Sequence, residues 1–125
     1  MDKKSDQAES ETEQDLLERF RKGAKLAHLG ALLENEEIEL KAFDQYKDAL
    51  KKLEAKSPAG RDALIPLLSD PDSEIRTVAC AFLINRHPDV VMPILDEIIE
   101  EWGTPAASSA RNTQALYSMG LYDGV

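Results

Sequence analysis

Apolar residues recur along this 125-residue chain at steps of three and four, the spacing of one face of an α-helix. Leu16, Phe20, Ala24, Ala27 and Ala31 form the first such stripe. Thr12, with Asp15 three residues later, opens it with a hydroxyl and a carboxylate that can serve free backbone N–H groups. Gly23 and Gly30 weaken the helix but admit the close approach of a neighbour. Asn35 to Glu37 marks either a break or a kink within one longer run. Leu40, Phe43, Tyr46, Leu50 and Leu53 then make a second stripe. Opposite it lie Glu37, Lys41, Asp44, Lys47, Asp48, Lys51 and Lys52, a solvated face with acids four residues ahead of lysines. Residues 1–12 show no periodicity and are expected to be a disordered tail, leaving 13–125 as one helical domain.

Shorter helices are predicted over about 59–69, 73–86, 89–102 and 105–119, each bounded by turn chemistry. Ser57-Pro58 stops the second long helix, and Asp70-Pro71-Asp72-Ser73 is a tight turn ending in an N-cap. His87-Pro88-Asp89 repeats that arrangement. Gly103-Thr104-Pro105 joins a glycine stop, a threonine cap and a first-turn proline, and Gly120 ends the last helix. No segment alternates with period two, so no strands are expected.

Two of these segments share a build. Leu64-Ile65-Pro66-Leu67-Leu68 and Val91-Met92-Pro93-Ile94-Leu95 each place proline between pairs of aliphatic residues (counting Met), followed by a turn and an alanine-rich helix. Interior proline removes a helical hydrogen bond and bends the axis. A short period of this kind suggests helix pairs that cannot bury their faces alone.

The run DPDSEIRTVACAFL, after Pro66, resembles HEAT-type repeats of the short bacterial variety, also seen in phycobilin-lyase-type proteins. The resemblance implies an all-α, HEAT-like alpha-alpha superhelix of about six helices with an N-terminal helical hairpin. It also implies a structural ladder in which Asp70, Asp72 and Arg76 join neighbouring repeats. A ligand-binding role for Arg76 is the minority reading. The second repeat departs from the pattern: Trp102-Gly103-Thr104 holds no aspartate, and Arg111 lies later in its helix. Over roughly residues 13–120 the chain resembles a small bacterial family of a domain of unknown function, some of whose members are thought to be immunity proteins of toxin systems. That family carries Trp near its final glycine, where this chain has Tyr117 before Gly120.

Charge changes the picture of partners. The net charge of −9 is uneven: residues 1–61 hold 14 acids and 12 bases, residues 62–125 hold 10 acids and 3 bases. An acidic half repels phosphate backbones and steers basic proteins, so nucleic acid is not an expected partner; simple solubility is the other account of the charge. No apolar run is long enough to cross a bilayer, and MDKKSDQAES lacks the apolar stretch of a leader, so a cytoplasmic location is expected. The single cysteine, Cys80, fits a reducing compartment and reads as a buried small hydrophobe.

Catalytic chemistry is not evident. His28 and His87 stand far apart, with no second ligand at metal spacing, and no nucleophile elbow or phosphate loop occurs. The chain is read as a non-enzyme with no cofactor. In HEAT architectures the second helix of each pair lines the concave surface. Thr77, Ile84 and Asn85 on one such helix, and Ser108, Arg111 and Asn112 on the other, are therefore candidate protein contacts. Asp96, Glu97, Glu100 and Glu101 form an exposed acidic face suited to a basic partner. Trp102 has two readings, a seal between repeats or an exposed anchor. The expected function is protein binding, most concretely an immunity-type inhibitor that occludes a basic toxin domain. The alternative is a constitutive scaffold in a cellular assembly; an accessory lyase-like enzyme is a distant third.

Overall fold

Hydrogen bonds at the start of the first stripe set where helix formation begins. In a computed structural model that describes residues 11–122, Thr12 Oγ1 accepts from Asp15 N–H at 3.0 Å while Thr12 N–H donates to Asp15 Oδ2 at 3.1 Å. These two bonds, the one from the Thr12 backbone first, hold the Asp15 carboxyl below its ordinary value. The capped helix, α1, runs Glu13–Leu32. Most of the expected tail lies outside the described residues; its last two, Glu11 and Thr12, are engaged. Glu11 pairs with Arg19 at 2.9 Å, and its carbonyl accepts from Lys56 Nζ.

The chain reverses at 33–35, and Asn35 caps α2, Glu36–Lys56, by accepting from Ile38 N–H at 3.1 Å. A true break, not a kink, therefore separates the helices. The seam is built on small residues. A methyl at Gly23 would lie 2.9 Å from Tyr46 Cβ, and one at Gly30 would lie 2.7 Å from Glu39 N, so both glycines admit the close approach that their positions suggested. Phe20 meets Tyr46 edge-on at 5.4 Å, and Arg19 reaches across to Asp48 at 2.6 Å. Close approach also corrects the second stripe. The buried face of α2 is Ala42, Tyr46, Ala49, Leu50 and Leu53, whereas Leu40 and Phe43 are exposed. The tight seam selects alanines for contact and turns the bulkier pair outward.

All described elements are helical, as the patterning predicts. The chain divides into two compact units between Ala63 and Leu64. The first is the α1–α2 hairpin. The division falls within Gly60–Ser69, which forms a 3-10 helix around Pro66 instead of the α-helix expected over 59–69. Proline lacks the N–H of an i→i−4 bond, which undercuts α geometry there.

In the second unit, α3 (Ser73–Leu83), α4 (Pro88–Ile99) and α5 (Pro105–Ser118) each pack on the other two. Their shared core is Ile75, Ala79, Cys80, Leu83, Ile84, Val91, Leu95, Ile98, Ala106 and Ala110. Here Pro93 stays within an α-helix, on its exposed side where water can serve the orphaned carbonyl, so the two proline segments differ in structure. α3 is three residues shorter than expected. Arg86 and His87 N–H groups both bond the Leu83 carbonyl, at 3.1 and 2.8 Å, closing the turn before Pro88. Thr104 caps α5 by accepting from Ala107 N–H at 3.1 Å. Beyond α5, Tyr122 returns to donate its hydroxyl to the Ala81 carbonyl at 2.7 Å.

Candidate functional site

Within the second unit, the corner between α4 and α5 gathers most of the candidate contact residues. α4 ends at Ile99 and α5 begins at Pro105. Between them Gly103 adopts φ 78°, a conformation open to glycine, which allows the chain to turn immediately after Trp102. Trp102 is 89% exposed. It does not seal a gap between helices, so the sealing reading is corrected. On α4, Asp96, Glu97 and Glu100 are exposed as expected.

Glu101 is not part of that open acidic face. It is half-buried and accepts two hydrogen bonds, from Ser73 Oγ at 2.5 Å and from Arg76 Nη2 at 3.1 Å. Arg76 Nη2 also donates to Ser73 Oγ at 2.9 Å, which closes a three-membered network tying the start of α3 to the corner after α4. The carboxylate that receives Arg76 is thus an acid next to Trp102, which the expected ladder did not include. Asp70 Oδ1 accepts from Asp72 N–H at 2.9 Å, setting the turn into α3. Asp72 is the N-cap position of α3 by backbone geometry. The sequence places Ser73 in the turn into α3 and Glu101 on an exposed acidic face, and it is their joint pairing with Arg76 that the sequence reading leaves out. The available signal was an acid directly before the Trp-Gly-Thr corner.

The contacts expected on α3 are largely corrected. Ile84 is fully buried and Thr77 nearly so, because α4 and α5 both pack on α3 and leave it no free apolar wall. The Thr77 hydroxyl is satisfied inside by donating to the Ser73 carbonyl at 2.7 Å. Asn85 is exposed, and its side chain donates to the Tyr122 carbonyl at 3.4 Å. Cys80 is buried as expected, and burial pushes its thiol up to about 12 against the opposing charge of Arg76.

On α5, Ser108, Arg111 and Asn112 are exposed together. Arg111 separates two shallow depressions of about 400 and 390 Å³. One is floored by Gly103, Thr104, Pro105, Ala107 and Ser108, the other by Met92, Asp96, Gln114 and Ala115. Gln114 Nε2 donates to Asp96 Oδ1 at 2.7 Å across the second. The corner therefore offers one large aromatic, a flanking carboxylate face and one guanidinium over open relief. That combination suits contact with another macromolecule better than enclosure of a small one. Among the described residues no group of three or more His, Cys, Asp or Glu side chains is placed to hold a metal, and no helix is long and apolar enough to cross a membrane.

Comparison of the chain with protein-family models, with characterised proteins and with solved structures finds no match in any of the three.

Proposed function

We propose that the chain is a non-enzymatic protein-binding module whose contact surface is the α4–α5 corner. The observation that carries this reading is the 89% exposure of Trp102. A soluble protein gains nothing in folding from a tryptophan left in water, and tryptophan is the residue most enriched among interface anchors. The exposed acids Asp96, Glu97 and Glu100 lie on the helix leading into it, in a half of the chain with ten acids and three bases. Such a field accelerates encounter with a basic protein and disfavours acidic competitors. In its most concrete form the module is an immunity-type inhibitor: the corner covers the working surface of a basic toxin domain, and inhibition is by stoichiometric occlusion. The HEAT-like reading of DPDSEIR supports this role, since stacked helix pairs present such surfaces.

Affinity purification of the tagged full-length chain at low and high salt, followed by the Trp102→Ala variant, tests the proposal. A single basic polypeptide bound near one-to-one is expected, with association slowed by salt. Trp102→Ala should weaken it by about 2 kcal/mol or more, the mark of an anchor residue. Equal binding by the variant would place the contact elsewhere, and recovery of many abundant components would favour a scaffold.

A further inference from the structure

The hairpin carries a second apolar surface, distinct from the Trp102 corner. Six large hydrophobic residues between positions 26 and 43 stand in solvent, and four of them, Leu26, Leu29, Leu32 and Leu33, come from the last turns of α1 and its cap. Leu26, Leu29 and Leu33 step by three and four, so they form a helical stripe of their own. It is offset from the stripe of Phe20, Gly23, Ala24 and Gly30 that packs on α2, and Leu33 is 61% exposed. The three leucines of the stripe leave roughly 260 Å² in water, a little over half of the non-polar part of the ~800 Å² that a standard interface takes from each partner. Aliphatic stems of neighbouring lysines extend such a surface.

Charge along the hairpin says what covers it. Lys22 is exposed on one side of the stripe, towards the start of α1. Glu34 and Glu36 are exposed on the other, at the closed end, where Glu37 is already paired with Lys41 at 3.1 Å. We propose that this leucine stripe is the interface of a homodimer in which two copies of α1 pair antiparallel about a two-fold axis between Leu29 and Gly30. That axis sets Leu26 against Leu33 of the second copy and Leu29 beside its twin. It also brings Lys22 of each copy towards Glu34 and Glu36 at the closed end of the other. Parallel pairing would instead set like charges against each other. An isologous contact satisfies both halves of the pattern at once, because each patch is its own complement. A surface below the standard size places the contact among weak, reversible associations.

Sedimentation velocity on the full chain across a concentration series tests this, with circular dichroism to confirm folding of each variant. Wild type should pass from monomer to dimer. Leu29→Asp, on an exposed position, should weaken the dimer roughly tenfold or more. Lys22→Glu should also weaken it, and the double change Lys22→Glu with Glu36→Lys should restore part of the loss. A wild-type chain that stays monomeric at hundreds of micromolar overturns the proposal. So does a dimer indifferent to Leu29→Asp, or a Lys22→Glu defect that Glu36→Lys deepens.

Discussion

At Glu34 the backbone turns left-handed, with φ 53°, and at Gly120 it does the same with φ 70°. Both positions close a helix with one pattern of bonds. Asn35 N–H reaches the Gly30 carbonyl at 2.8 Å and Leu121 N–H reaches the Leu116 carbonyl at 2.9 Å, while bonds that span three residues run from Glu34 N–H to the Ala31 carbonyl at 3.2 Å and from Gly120 N–H to the Tyr117 carbonyl at 3.0 Å. Glycine enters this conformation freely; a glutamate strains against its own Cβ. Glu34→Gly should therefore stabilise the chain by about 0.5–1 kcal/mol, the strain relief being partly offset by the freer unfolded chain. Urea unfolding with an unchanged slope is the check, and a loss of stability would mean that the Glu34 side chain contributes more than its backbone costs. Cys80 gives a second residue-scale expectation. Its folded thiol rises from 9.0 to about 12, so the native state keeps a proton that the unfolded state releases between those values. Stability from this source is whole below pH 9 and falls as pH rises through the window. At pH 8 a thiol reagent should label Cys80 only as fast as the protein opens, and rapid native labelling would contradict its burial.

Elements are held together by smallness in one unit and by a polar network in the other. In the hairpin, Gly30 faces the Glu39 backbone so closely that alanine cannot be accommodated by a rotamer change. Gly30→Ala should cost about 1–3 kcal/mol even after its gain in helix propensity, read as a lower denaturation midpoint. In the second unit, Arg76, Ser73 and Glu101 join α3 to the α4–α5 corner. With Arg76 and Glu101 side chains 24% and 38% exposed, their pairing is screened only in part. Arg76→Ala should cost about 1–3 kcal/mol, and a double-mutant cycle with Glu101→Ala should show coupling of about 0.5–1.5 kcal/mol. A coupling of zero would reduce the network to a surface contact.

Across the whole chain, what was legible in the sequence was local. Caps at Thr12 and Thr104 and the stop at Gly120 depend on neighbours within a turn or two and emerge where their chemistry places them, and the α1 stripe holds from Leu16 to Ala24 but then shifts, with Gly30 buried, Ala27 half-buried and Ala31 exposed. Burial was less legible wherever it depends on a distant partner. Leu40 and Phe43 lost their core places to Ala42 and Ala49 because Gly23 and Gly30 on another helix set the spacing. Ile84 is interior because two later helices enclose α3. The partner of Arg76 is 25 residues away, and no local pattern announces it. Of the candidate site, the exposure of Asp96, Glu97 and Glu100 and of the α5 face was readable from the sequence, while the partial burial of Glu101 and the state of Trp102 required the corner geometry. That state has an optical consequence. Trp102 is the only tryptophan in the chain and lies in water in the native state, so its emission should be red-shifted before and after denaturation alike. Intrinsic fluorescence should thus be nearly blind to unfolding, leaving circular dichroism to follow it. A blue shift would instead signal that something has closed over the corner, making the native chain its own unlabelled probe for a partner.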